Sequence, residues 1–227
     1  MREIGRDDLP GELSVFPLPG AMLLPGGHLP LNVFEPRYVA LVEDALVGTR
    51  LFGMIQPHEH EPSPEKAEAA RASSLVPPPL YRVGCAGRLS SFTERQDGTF
   101  SIVLTGICRF RLHHELEQRH GYRRLAVDYA PFLSDLSPQP PSFDRDALLD
   151  ALRRYFQTRG FEARWDAVEQ MDDETLITTL SMICPLPPAE KQALLEAPTP
   201  ADRAGILRAL LEMAGHEPEA DGPVHLA

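Results

Sequence analysis

The sequence predicts an α+β protein in which a small twisted β barrel or pseudobarrel is followed by a C-terminal α-helical bundle. Three observations carry this. The hydropathy period changes from two to about 3.6 across Ser137-Pro138-Gln139-Pro140-Pro141. Upstream of that segment, Asp97-Gly98 joins two alternating apolar runs in the manner of a hairpin. The 227 residues are 43% apolar and 24% charged, the balance of an ordinary globular chain. The division that follows is a β-rich subdomain over 1–136, a linker over 137–141, a helical subdomain over 142–214 and a disordered polar tail over 215–227.

The elements can be justified in order. Leu13–Leu18 and His28–Phe34 are short apolar runs that read as strands. Tyr38, Leu41, Val42, Ala45 and Leu46 then form one helical stripe, with Pro36 in the first turn and Gly48 at the stop. Leu51–Gln56 reads as a buried strand. The segment 57–79, which includes Pro57, Pro62, Pro64 and Pro77-Pro78-Pro79, has few large apolar residues and reads as a mobile loop.

A type I′ turn at Asp97-Gly98 would set Gln96 against Thr99, so that paired residue numbers sum to 195. The inner face then holds Phe100, Ile102, Leu104, Cys108, Phe110 and Leu112, with Val83, Cys85 and Leu89 across from them. Cys85 would face Phe110, and Cys108 would face Gly87. Tyr122–Phe132 is a further strand, and His113-His114 ends the one before it. Edges closed on themselves suggest a barrel.

In the helical half, Ser142 is placed to cap a helix ending near Gly160. Asp172 caps a second, with Leu176, Leu180 and Ile183 inward, and Pro188 opens a short third through Leu194-Leu195. Thr199-Pro200-Ala201-Asp202 is a capping box ahead of the fourth, and Trp165 anchors the subdomain.

Charge narrows the function classes. With 22 basic and 33 acidic residues the net charge is −11, which argues against general binding to nucleic acid or anionic membrane. No apolar run approaches the ~18 residues of a membrane helix, and Met1–Pro10 lacks the apolar core of a signal peptide. Three cysteines suit a reducing compartment, so the expected location is the cytoplasm.

No catalytic constellation emerges. There is no Gly-rich phosphate loop ending in Lys-Ser/Thr and no G-x-S-x-G elbow. His114-Glu115 begins like a zinc-protease helix, but Gln118 stands where the second His is needed. His58-x-His60 lacks a third ligand at a regular spacing, and the cysteines read as buried apolar residues. No metal, cofactor or catalytic residue is therefore expected.

Two surfaces remain. Arg82, Arg88, Arg109 and Arg111 would share the outer hairpin face, in a region, Leu80–Leu125, with eight arginines and four acids. That stripe is the alternative, anion- or RNA-binding reading. The apolar stretch Phe16–Phe34, with Leu23, Leu24 and Leu29, would pack the barrel or hold an extended peptide beside a sheet edge.

Several motifs carry a family resemblance: Phe16-Pro17-Leu18, Pro25-Gly26, Leu29-Pro30-Leu31 and, above all, Phe34-Glu35-Pro36-Arg37-Tyr38. Phe52-Gly53, Val83-Gly84, Asp97-Gly98 and Gly106-x-x-Arg109-Phe110-Arg111 follow, and Leu186-Pro187-Pro188-x-Glu190-Lys191-Gln192-x-Leu194-Leu195-Glu196 closes the set. In their order and spacing they resemble the N-terminal substrate-binding domain of the Lon protease family, in its stand-alone bacterial form without ATPase and protease domains. The resemblance spans most of Leu13–Met213 and implies a PUA-like pseudobarrel followed by a helical bundle.

It also implies a non-enzymatic module for unfolded or specific polypeptides, working in some cases with a separate protease. The candidate peptide-binding residues are Leu23, Leu24, Phe34, Glu35, Arg37 and Tyr38. Asn32, where such relatives often carry His, and Thr99, where they often carry Arg, depart from the pattern.

Overall fold

The computed structural model describes residues 4–58 and 77–215. The sequence separates into two compact units. The first runs to Pro138 and recruits Pro185–Leu195 from far along the chain; the second is Gln139–Cys184 with the chain from Glu196 onward. The expected disordered tail, apart from Gly215, and most of the Pro-rich loop lie outside the described residues. The loop's base is paired, with a bridge between Pro57 and Leu80 and the His58 N–H donating to Pro79 O.

The first unit contains β1 (Glu12–Pro17), β2 (His28–Val33), α1 (Pro36–Val47), β3 (Leu51–Ile55), β4 (Val83–Glu94), β5 (Phe100–Arg119) and β6 (Tyr122–Asp128). They make a six-stranded sheet ordered β2-β5-β4-β3-β1-β6, with a further pairing between β5 and β6. Among the described strands only β1 and β3 pair in parallel; the chain between them passes through β2 and α1. Such a pair needs a long connection, and α1 is part of it. Helix α1 lies within its expected stripe: Tyr38, Leu41, Val42 and Ala45 are buried, and Gly48 caps the end.

The hairpin register differs from expectation by one residue. Arg95 pairs with Thr99 through a 2.8 Å bond, leaving a three-residue loop, Gln96-Asp97-Gly98. Of those three only Gly98 has a positive φ, 77°. That fits a type I turn closed by a glycine bulge, a geometry that spares Asp97 a left-handed backbone. Asp97 instead accepts the Thr99 N–H and hydroxyl at 3.0 and 2.7 Å.

Paired numbers therefore sum to 194, as in Cys85↔Arg109 and Phe92↔Ile102, with irregularities at Ala86/Gly87 and Leu89/Ser91. Cys85 faces Arg109, and Cys108 faces Ala86. The two-residue turn with both φ positive occurs at His120-Gly121, 49° and 83°, between the paired Arg119 and Tyr122.

Strand β5 does not stop at His113-His114 but continues to Arg119, bulging near these histidines, whose Nδ1 atoms lie 2.7 Å apart. The strand expected over Tyr122–Phe132 ends at Asp128, where the Asp128 carboxylate takes the Ala130 N–H and a 3-10 helix, Ala130–Leu136, begins. Pro131 in its first turn has no N–H for a ladder.

The second unit contains α2 (Arg145–Arg159), α3 (Trp165–Gln170), α4 (Asp173–Ile183) and α6 (Pro200–Ala214). Asp144, not Ser142, caps α2 by accepting the Ala147 N–H at 3.0 Å. Gly160, at φ 65°, ends it. Asp172 caps α4, and the Thr199–Asp202 box at α6 forms as expected. The α3 helix was not foreseen; its Trp165 meets Phe156 edge-on at 5.7 Å, and Arg145 binds Asp173 and the Glu169 and Met171 carbonyls nearby.

Helix α5 (Pro188–Glu196) departs furthest from sequence order, because nearly all of it belongs to the strand unit. The buried Gln56 amide donates to Pro188 O and Gln192 Oε1, while Gln192 donates to Val83 O. Lys191 Nζ reaches Gly20 O at 3.0 Å.

Candidate functional site

The Phe34–Tyr38 motif joins β2 to α1, and its residues divide by role. Tyr38 is buried and stacks on Phe16 with ring centroids 4.0 Å apart. Burial raises its phenol, with the Arg37 charge opposing. Arg37 lies 4.8 Å above the Tyr38 ring and donates through Nε and Nη2 to Glu35 Oε2 at 3.0 and 2.6 Å. That hydrogen bond holds the guanidinium above its ordinary pKa.

Glu35 occupies the N-cap of α1 but makes no side-chain cap bond, since its carboxylate is engaged by Arg37. Phe34 is left 70% exposed, the side chain in the motif with no structural duty. Further along α1, Asp44 accepts from Tyr122 Oη at 2.6 Å and from His120 Nδ1 at 3.0 Å, and the Tyr122 bond first of all lowers its pKa.

Leu23 and Leu24 are not available to a ligand. Both are fully buried, because the loop that carries them lies against a glycine of β5. Gly26 N donates to Gly106 O and Gly106 N to Gly27 O, at 3.0 and 2.8 Å. A Cβ on Gly106 would stand 1.9 Å from Leu24 O, so a side chain there would expel the loop. These leucines pack the core.

The arginine stripe is also broken. Arg82 and Arg111 are exposed and Arg88 is half-buried. Arg109, however, is 2% exposed. Its Nε and Nη2 donate to the two Asp135 oxygens at 2.9 and 2.8 Å, its backbone N–H to Asp135 Oδ2 and its Nη1 to Leu195 O. Asp135, on the 3-10 helix, was not singled out from the sequence; no local spacing links it to Arg109. Arg123 is also buried, bound to Pro78 O and to the more exposed Glu115 carboxylate.

Beside Arg88, an open cleft of about 900 Å³ is lined by Arg6, Thr105, Asp135 and Ser137 among others. Its Asp135 carboxylate is already committed to Arg109.

The sheet offers strand edges. Because Gly106 N meets Gly27 O, alternation along β2 turns the N–H and C=O of His28, Pro30 and Asn32 away from β5. Pro30 has no N–H, so this edge is interrupted at its centre. Asn32 Oδ1 accepts from Arg95 and Ser101 at 2.8 and 3.2 Å, tying the outer face of β2 to the hairpin.

Among the described residues, no group of three or more His, Cys, Asp or Glu could hold a metal ion. None of the three cysteines forms a disulfide, all three are buried, and burial pushes the Cys108 thiol up to about 12. Among those residues too, no helix is long and apolar enough to cross a membrane.

These features define a mixed α+β domain with a six-stranded sheet and C-terminal helices, with the Phe34 side chain exposed on the strand unit. The chain belongs to the family described as the ATP-dependent protease La (LON) substrate-binding domain, whose model matches residues 12–213. It is 30% identical over 126 residues to Lon protease 2 of Myxococcus xanthus, covering 55% of this chain and 14% of that protein. To the Lon protease of Elusimicrobium minutum it is 25% identical over 210 residues, 89% of this chain and 24% of that one. The chain thus spans a quarter or less of the length of these relatives.

Two solved structures share the fold. The Lon N-terminal domain protein from Xanthomonas campestris gives a TM-score of 0.57 at 22% identity, covering 87% of this chain and 97% of its own. The N-terminal domain of the Mycobacterium avium complex Lon protease gives 0.53 at 14% identity, covering 88% and 97%.

Proposed function

We propose that this chain is a non-enzymatic module that binds polypeptides in unfolded or extended form, with Phe34 as one apolar contact. The observation that carries this reading is membership in the substrate-binding domain family across residues 12–213. The high pKa of the buried thiols supports a binding role over thiol chemistry, because a protonated, inaccessible sulfur is a poor nucleophile.

We read the strand unit as a PUA-like pseudobarrel: the pairings β5-β4-β3-β1-β6 return to β5 and so support a closed ring. Three buried cysteines, none of them in a disulfide, support a reducing, cytoplasmic setting. A separate protease that receives the bound polypeptide is the further partner of the same reading.

The test is a fluorescence anisotropy titration with labelled, reduced and carboxymethylated α-lactalbumin at low and moderate salt. Saturable binding that survives moderate salt is expected. Phe34→Ser should weaken it roughly tenfold, the loss expected when one aromatic contact of about 1.4 kcal/mol is removed. The melting temperature should be unchanged, because Phe34 is exposed. Equal affinity in wild type and variant would remove Phe34 from the surface. Binding only of RNA, collapsing with salt, would instead move the function to the exposed arginines.

A further inference from the structure

The hairpin arm has a second free edge, and it differs from that of β2. Strand β3 pairs with β4 from Met54↔Cys85 to Leu51↔Arg88, and the Leu89 N–H still reaches Arg50 O at 2.8 Å. There the pairing ends. The chain turns back toward α1 through Arg50, at φ 61°, and β4 bulges between Leu89 and Ser91. Ser90 through Glu94 then continue along β5 with no strand on their other side among the described residues.

Because Arg95 and Thr99 are a hydrogen-bonded pair, Thr93 is bonded to Ser101, and the backbone groups of Phe92 and Glu94 point outward. Unlike β2, this edge contains no proline. Phe92 lies on it and is 46% exposed.

We propose that the distal edge of β4, Ser90–Glu94, is the strand-addition site of this module, and that its occupant is an extended segment of the bound polypeptide. The inference rests on the polypeptide-binding reading and adds its location and mode. Two outward N–H and two outward C=O groups in register accept only another extended backbone, which gives affinity with little dependence on sequence.

Side chains add a preference. Phe92 and Glu94 share one face, so a β-branched or aromatic residue opposite Phe92 and a basic residue opposite Glu94 fit best. Ser91 and Thr93, on the other face, present small hydroxyl-bearing side chains that exclude few sequences. Val33, Phe100 and Glu94 lie in one row across the sheet. The asymmetry favours β4, since an incoming strand on β2 would meet Pro30 where it needs a donor.

The experiment uses the full chain with the same labelled α-lactalbumin and an unlabelled sample for amide exchange by NMR. At saturation the Phe92 and Glu94 amides should exchange at least tenfold more slowly, while those of His28 and Asn32 stay unchanged. Glu94→Pro removes an outward N–H without touching a ladder bond, and should bind about fivefold to tenfold more weakly. Phe92→Ser should lose about tenfold.

Wild-type binding with both variants unaffected, or with protection at His28 and Asn32 instead, would overturn the site and leave polypeptide binding standing. No anisotropy change with the wild type would overturn both. Protection of Phe92 and Glu94 without added polypeptide, together with a doubled mass in light scattering, would assign the edge to a second copy and overturn the proposal.

Discussion

Arg109 is where a residue's type and its environment diverge most. It lies between Cys108 and Phe110, both buried, on a stretch of β5 that is covered on both faces. Alternation assumes one wet face, so it assigned Arg109 outward with Thr105 and Arg111; a doubly covered strand has no such face. Its charge is tolerated because Asp135 takes three of its donors and Leu195 O a fourth. A buried pair is costly to break, because the survivor stays in the interior as an uncompensated charge.

Arg109→Met and Asp135→Leu should therefore each destabilise the fold by about 3–5 kcal/mol, measured by urea unfolding. The double variant should lose less than the sum of the two. Strictly additive losses would show that the pair is not the unit. The apolar positions of the same strand pair were legible: Val83, Cys85, Leu89, Phe100, Ile102, Leu104, Cys108 and Phe110 are all buried, as the alternation indicated.

At the scale of the element, helices were read well where a cap or a stop marks the end. Gly48, Gly160, Asp172 and the Thr199–Asp202 box all act at the positions assigned to them. Ser142 did not, because Asp144 offers a carboxylate two residues later. Turn type was harder, since Asp-Gly is compatible both with a two-residue loop and with a three-residue loop that ends in a bulge. Only the second leaves Asp97 free to bind Thr99 through its side chain.

The two geometries predict opposite signs for one substitution. In a type I′ turn Asp97→Gly would relieve a left-handed residue; here it should destabilise, by removing the acceptor and adding freedom to the unfolded chain. Gly98→Ala should cost about 1–2 kcal/mol, because φ is positive there. Thermal melts of the two variants decide it, and an Asp97→Gly protein more stable than wild type would contradict the three-residue loop.

For the whole molecule, proximity in sequence and proximity in space part at Pro185. A period change at 137–141 divides the chain into a strand half and a helical half, which places α5 with the helices. Yet Pro185–Leu195 clusters with the strands. Sequence order gives no sign of this, and the ties include long-range polar ones: Gln56 to Pro188 O and Gln192, Gln192 to Val83 O, Lys191 to Gly20 O, and Arg109 to Leu195 O. Remove α5 and these buried groups lose their partners together.

At about 1–3 kcal/mol for each group left unsatisfied, the loss rivals the roughly 5–15 kcal/mol that holds a typical domain folded. A fragment ending at Pro138 should therefore lack a cooperative melt and near-ultraviolet circular dichroism, although it contains all six described strands. A fragment extended to Glu196 should recover both, and so should the short one when a peptide of residues 185–196 is added in excess. Cooperative unfolding of the short fragment alone would mean that the strands suffice. The strand unit, and with it the edge that bears Phe92, would then be complete before the chain reaches its helices.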